Sequence, residues 1–454
     1  MAIPGFGGSV LTSSDAAFDD ARKIWNGAID RKPAVIARCS EAADVVAALR
    51  YARQHELLVS VRGGGHGVAG HAMNDGGIVI DLSQLRRVRV DPVSRTALAE
   101  PGVLWGDFDQ VTQAAGLATT GGIVTHTGIA GLTLGGGIGW LMRAYGTTAD
   151  NLIAADLVTA DGSLVRASDQ DDPEVLWGLR GGGGNFGIVT SFRYRLHELG
   201  PTVLAGPVVW PMEDAAEVMR FYRDFCRTAP DRLTTITQYR TLPAFPAFPA
   251  EFHGRKVLQV GTVWAGDLVE GQRVLAPLRG FGRPLFDLVG PKPYVANQGA
   301  NDKAVPHGWH YYWKSADLPD LGDETIDIMT EHALRMRSPR SYCILFQLGG
   351  AVGRVGEDET AYSHRAAAFN VNINGVWLPE ENRGDEESAW VRGLFTALEP
   401  YQLGVYVNFL MDEGPERVRQ AYGEAKYRRL VALKDRLDPH NVFRMNQNIA
   451  PSTP

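Results

Sequence analysis

The chain has 454 residues and a formal net charge of −7, with 44% hydrophobic and 21% charged residues. At ~150 residues per domain, two or three domains are expected, and the acidic balance without a Lys/Arg cluster excludes a general nucleic-acid binder. Glycine is in excess: 52 of 454 is about 11%, against a usual ~7%, while the 25 prolines are unremarkable.

Cys39, Cys226 and Cys343 are scattered and form no CxxC pair, so no disulfide framework is expected. The start MAIPGFGGSVLTSSD has neither a basic nor an apolar region, unlike a secretory signal. No apolar run approaches the ~18 residues of a membrane helix. The expectation is a cytoplasmic protein with no membrane or nucleic-acid partner.

In chain order, residues 15–25 read as helical within a leader of 32 residues. Ser40 is placed to cap a helix whose buried face is Val45, Ala48, Leu49 and Ala52. Strands are expected at 57–62, 77–82, 86–90 and 96–100, then a helix at 104–115. Residues 121–139 read as almost continuous glycine loop. Strands 152–159 and 164–167 form a hairpin around Asp161-Gly162. A short helix at 174–179 and a strand at 187–196 close this region.

Gly200-Pro201 marks a boundary. Beyond it, strands at 256–264, 342–349 and 405–409 alternate with helices near 213–227, 322–337 and 388–398. The Phe- and Pro-rich segment 241–253 reads as a loop, either a lid over substrate or a loop packing its rings on the core. A basic amphipathic helix is expected from Arg417 to Leu437, stopped by Asp438-Pro439. The fold class is therefore α+β.

The glycine excess falls in three clusters, 63–70, 121–139 and 181–187. Gly65, Gly67 and Gly70 match GxGxxG, as do Gly182, Gly184 and Gly187. The dinucleotide fingerprint needs a strand before it and a helix after it. The first match runs into a strand and the second follows a helix, so a Rossmann enzyme is disfavoured. Glycine loops also present successive backbone N–H groups that cradle anions without a helix, and Arg62 beside Gly63, Gly64 and Gly65 adds charge. Three such loops suit one long ligand, and a flavin dinucleotide fits better than a mononucleotide.

His66 is pinned between glycines after a strand, either as a loop histidine bonded to backbone or as a functional group. His66 and His71, or His307 and His310, are too few for a metal site, and HExxH, the Walker loop and GxSxG are absent. No metal is expected.

The segments VRGGGHGVAGHAMNDGGIVIDL, GLTLGGGIGWLMRAYGTTADNL, LWGLRGGGGNFGIVTSF and LDPHNVFRMNQNI resemble the berberine bridge enzyme-like FAD-linked oxidases. The resemblance covers nearly the whole chain and keeps the family's motif order. It implies a vanillyl-alcohol oxidase type of flavoprotein fold, with a PCMH-type FAD-binding domain built from both chain ends (1–202 and 412–454) around an antiparallel-sheet substrate domain (203–411) with covering helices. It implies FAD bonded through its 8α-methyl carbon to His66. Glycine backbone fits that bond, because it lets the chain approach the ring closely. Many relatives add a second bond from a cysteine. Here Val124 stands at that place between Gly122 and Gly128, so the expectation is FAD held covalently by His66 only.

The same resemblance makes Gly131, Gly136, Gly137, Gly187, Ile188 and Val189 candidate FAD contacts. Thr127 occupies the position that gates oxygen access, and its small size points to an oxidase using O2. His126 is either a flavin contact or a structural histidine. Tyr406-Val407-Asn408 matches a Tyr-x-Asn motif whose tyrosine is the catalytic base of sugar- and alcohol-oxidising relatives. With an ordinary pKa of ~10, Tyr406 needs a cation or flavin nearby to serve. A strand aromatic packing on the core is the alternative, and Asn408 would touch flavin or orient the tyrosine. Asn446, Gln447 and Asn448 match the segment approaching the flavin's pyrimidine edge, or cap a strand end. Tyr311, Tyr312, Trp313, Tyr342 and Gln347 either line the substrate side or pack in the core.

The function expected is an FAD-dependent oxidase moving a hydride from a small hydroxyl-bearing sugar, phenolic or alkaloid-like substrate to flavin N5, with release of H2O2. The alternatives are a dehydrogenase using another acceptor, an amine or alkaloid oxidase, and a non-catalytic binding protein. A homodimer is the default assembly.

Overall fold

Val35–Arg38, Val59–Arg62 and Ile78–Asp81 are short runs dominated by β-branched residues. Such runs suit strands covered on both faces. In the computed structural model, which describes residues 2–453, they pair in parallel with Ile78–Asp81 in the centre. Ser9–Leu11, within the leader expected over residues 1–32, adds an antiparallel edge strand. Helical structure there is confined to Phe18–Ala21.

Helix Ala42–Gln54 crosses between the first two parallel strands and buries Val45, Ala48, Leu49 and Ala52. Its cap is Glu41, which exchanges hydrogen bonds with Asp44 in a capping box. Ser40 is not the cap. Its amide and hydroxyl both donate to the Asp44 carboxylate, at 2.8 and 2.7 Å.

A second sheet is antiparallel, in the order Val88–Asp91, Thr96–Ala99, Ile188–Arg195, Leu152–Val158, Leu164–Ser168. The expected hairpin at Asp161-Gly162 is present, with Gly162 at φ +89°. The third and largest sheet has eight antiparallel strands. From Lys256–Trp264 it runs through Leu233–Thr241, Tyr342–Gln347 and Phe369–Trp377 to His310–Leu318 at one edge.

Along Phe369–Trp377, Val371 and Ile373 join a core with Met219, Tyr222, Met329 and Leu394 from helices Ala215–Thr228, Asp323–Leu334 and Gly384–Leu398. The alternate residues Asn370, Asn372 and Asn374 fall on the opposite face, as the two-residue period of a strand requires. That face looks towards the glycine loops.

The chain then returns to the first half. The expected single helix from Arg417 is two, Pro415–Tyr422 and Glu424–Leu437, broken at Gly423 with φ +72°. Val418, Tyr422, Leu430 and Leu433 pack on Leu176, Phe186 and Phe192 of the second sheet's core. The fully buried Lys434 ammonium donates to Asp438 at 2.7 Å and to the carbonyls of Asn185 and Phe443. This pair fastens the chain end to the third glycine loop. Segment 241–253 packs Phe248 and Phe252 on Val209, Leu242 and Val257. It is a core-packing loop, not a lid.

Candidate active site

The parallel strand Val59–Arg62 ends in the loop Gly63–Gly70, the carboxyl edge at which open sheets bind ligands. Gly65 and Gly70 have φ of +66° and +74°. Gly64 lies against Gly128, so close that a Cβ would sit 2.6 Å from the Gly128 nitrogen and Cα. The first two glycine loops are therefore back to back. The second loop is not continuous irregular chain, since Ile129–Leu134 forms a helix burying Ile129, Ala130, Thr133 and Leu134.

Two adjoining cavities of about 300 and 240 Å3 lie along these loops. They share Gly63, Gly67, Gly131 and Asn408 as wall residues. Gly64, Gly65, Gly122, Thr127 and Gly128 line the larger one. Gly187, Ile188, Val189 and Asn446 line the narrower one, which contains no Lys or Arg. An anion held there rests on backbone N–H groups. Cβ atoms at Gly67, Gly131 and Gly184 would meet nothing within 4 Å, so these positions border open space. A long trough with a wide room at one end and a glycine arm at the other fits an extended dinucleotide.

His66 sits at the wide end. Its ring stacks on Trp25 (centroids 4.4 Å apart, 14° between planes), and His126 lies 5.0 Å away. Nε2 is buried and lacks a hydrogen-bond partner. Burial, then the neighbouring His126 and His307, hold the His66 pKa well below the usual imidazole range. His66 is thus a neutral imidazole with a free nitrogen. No group of three or more His, Cys, Asp or Glu among the described residues could hold a metal ion. Val124 lines the room, and none of Cys39, Cys226 and Cys343 does.

Tyr406 lines the same room. Segment 405–409 is not a strand. After a single bridge between Asp317 and Gly404, the chain turns into the 3-10 helix Val407–Phe409. The Tyr406 phenol oxygen accepts hydrogen bonds from the Gly137 amide (2.7 Å) and from Asn408 Nδ2 (2.8 Å). Asn408 Nδ2 also donates to the Leu132 carbonyl. Burial pushes the phenol pKa up, against the two donors.

Gly136 and Gly137, at φ +122° and +85°, line neither cavity. A Cβ on Gly136 would strike Tyr362 and approach the Tyr406 ring, and one on Gly137 would strike Thr148 and Leu132. They wrap the tyrosine instead of facing a ligand. Arg62 is also turned away, with its guanidinium donating to the Ala21 carbonyl. Asn448 lines neither cavity, whereas Gln447 lines the narrow arm and donates to the carbonyls of Leu410 and Met411.

On the substrate side, strand parity decides. Tyr342, Ile344 and Phe346 face the room. Gln347 has the other parity, and its Oε1 accepts from Thr235 on the helix side. Tyr312 also leaves the room and stands under Arg392. Trp313 lines the room, but Tyr311 is roofed by Trp25 at 3.8 Å. Gln238, Arg240, Asn301, Asn372 and Phe409 line it too and were not anticipated. The alternation Asn370-Val371-Asn372-Ile373-Asn374 was the available signal.

Residues 33–168 match the family model described as FAD binding domain, and residues 405–450 match that described as Berberine and berberine like. An FAD-linked oxidoreductase of Dictyostelium discoideum is 30% identical over 436 residues, covering 95% of this chain and 92% of that protein. The crystal structure of 6-hydroxy-D-nicotine oxidase from Arthrobacter nicotinovorans superposes with a TM-score of 0.90 at 29% identity, over all of both chains. A glucooligosaccharide oxidase of Acremonium strictum, described with a 6-S-cysteinyl, 8α-N1-histidyl FAD, shares the fold at TM-score 0.86 and 22% identity.

Fold and site together define an FAD-binding flavoprotein of the vanillyl-alcohol oxidase type. The chain belongs, more particularly, to the berberine bridge enzyme-like family of FAD-linked oxidoreductases.

Proposed function

We propose that this oxidoreductase is an oxidase of small hydroxyl-bearing substrates, with FAD attached through His66 alone and Tyr406 as catalytic base. When bound, FAD supplies the two-electron acceptor for the hydride. The observation that carries the reading is the juxtaposition, in one room, of a neutral, unpartnered His66 and a phenol gripped by two N–H donors.

His66 is suited to a covalent link because its lone pair is not tied up by a proton or a partner. Val124 offers no thiol for a second bond. Residues 1–202 and 412–454 would hold the cofactor and 203–411 the substrate. Gly67, Gly131 and the loop before Ile188 would carry the dinucleotide on backbone amides.

Tyr406 accepts from two donors and has no acceptor for its own O–H among the described hydrogen bonds. Those two donors pull towards the phenolate, against the burial that raises the phenol pKa. A substrate hydroxyl entering the room would give its proton to this oxygen in its phenolate form, the form that the Gly137 and Asn408 donors stabilise. The aromatic walls Trp313, Phe346 and Phe409 bind a ring and exclude water. Thr127, small and at the wall, leaves a path for O2.

Peroxide release across a panel of ring-bearing alcohols tests this reading. Reduced enzyme that reoxidises slowly in air but quickly with a dye would make the protein a dehydrogenase. A second reading, amine oxidation, is favoured by the similarity to 6-hydroxy-D-nicotine oxidase. It requires activity on amines that survives Tyr406→Phe.

A further inference from the structure

We propose that the substrate carries an anionic group, a carboxylate in the simplest case, which pairs with Arg240. The inference rests on reading the larger cavity as the substrate room.

Arg240 lies on strand Leu233–Thr241 with its side chain in the wall of that room. A guanidinium has five N–H donors. One is used, on Gln238 Oε1 at 2.8 Å, and Nε is buried without a partner. Among the described residues, no Asp or Glu acts on the Arg240 charge, and none lines the room.

Three other buried cations of this fold have partners within the protein. Arg365 pairs with Asp150 at 2.6 Å, Lys434 pairs with Asp438, and Arg143 donates to the carbonyls of Leu233, Leu348 and Ala229. Arg240 differs in that its donors open onto a ligand space. Burial pushes its pKa down to about 10, which still leaves it charged at neutral pH. The cross-strand neighbour is Tyr342, whose phenol is pushed up by burial and stays neutral. A buried charge with no counter-charge is costly, and a ligand anion is what removes that cost.

The sheet also sets a length. The Tyr406 amide donates to Ser315, which registers with Asn372, then Ile344, then Gln238, the residue two before Arg240. Three strand spacings of ~4.8 Å put the Ser315 and Gln238 backbones about 14 Å apart, with Tyr406 beyond the first and Arg240 two residues past the second. Both side chains line the room together with Trp313 and Phe346. An aromatic acid with its hydroxyl-bearing carbon at the far end from the carboxylate suits two such separated groups.

The test uses holoenzyme and two probes, benzoate and benzamide, read by perturbation of the bound flavin's absorption. Benzoate should bind at least tenfold more tightly than benzamide. Arg240→Gln should erase that preference, and Arg240→Lys should keep part of it, with flavin colour retained in both as the check on folding. Equal binding of the probes to the wild type, or a preference that survives Arg240→Gln, overturns the proposal. With 4-(hydroxymethyl)benzoate against its methyl ester, the acid should show the higher kcat/KM in wild type alone. An Arg240-dependent benzoate preference without peroxide from any alcohol supports the anion site and refutes the oxidase reading. Peroxide from neutral alcohols with no benzoate preference does the reverse.

Discussion

Tyr406→Phe removes one oxygen and leaves two donors facing a ring edge. The Gly137 N–H, 2.7 Å from that oxygen, has no other partner. One Nδ2 hydrogen of Asn408 is orphaned, while the other keeps the Leu132 carbonyl. Each buried, unsatisfied donor costs about 1–3 kcal/mol, so the variant should lose about 2–6 kcal/mol of stability and still fold. If Tyr406 takes the substrate's proton, the rate of flavin reduction by an alcohol should fall by about 10²–10⁴-fold, the usual contribution of a positioned base. Stopped-flow bleaching of the oxidised flavin measures this directly. The wild-type rate should rise with pH, because burial raises the phenol pKa and phenolate becomes available only as pH climbs. That rise should vanish in Tyr406→Phe. A variant that loses stability yet reduces its flavin at the wild-type rate would make Tyr406 a structural clamp for Gly137, and the proton-transfer argument would be wrong.

The Asp109 carboxyl is raised from 3.8 to about 7 by burial, against one hydrogen bond from Gln298. It is neutral below its folded pKa, so its penalty is absent near pH 4, grows as pH rises to 7 and is constant above. Asp109→Asn should therefore raise the melting temperature at pH 8 and not at pH 4, by an amount equivalent to at most about 4 kcal/mol. Equal effects at both values would contradict the assignment. Lys434→Met strands the Asp438 carboxylate, which also accepts from the amides of Val442 and Phe443. Loss of about 3–5 kcal/mol in denaturant unfolding is expected, partly recovered by adding Asp438→Asn. Wild-type stability in the single variant would show that the pair does not fasten the chain end.

What was legible in the sequence was set by backbone constraint. Glycines at 64 and 128 cannot be replaced where two loops touch, and that requirement is visible as clustering. The failure of both GxGxxG matches to sit between strand and helix was equally readable, and the structure has Ile188–Arg195 following the second match. What was not legible depended on which way a side chain points after folding. Val405–Phe409 alternates like a strand, yet the hydrogen bonds of Tyr406 to Gly137 and Asn408 to Leu132 impose a turn on it. Gln347 and Phe346 differ by one residue and lie on opposite faces of the sheet. Tyr311 shares parity with Trp313 but meets Trp25, contributed by a segment nearly three hundred positions earlier in the chain. Arg62 looked like an anion ligand from its position, and the Ala21 carbonyl claims it.

The proposed single covalent bond between His66 and FAD can be read by peptide mass spectrometry of acid-precipitated holoenzyme. One flavin per chain is expected, attached to the peptide containing His66 and to no other, with His66→Ala releasing all flavin to the supernatant. Free flavin from the wild type, or flavin on a peptide lacking His66, would contradict it.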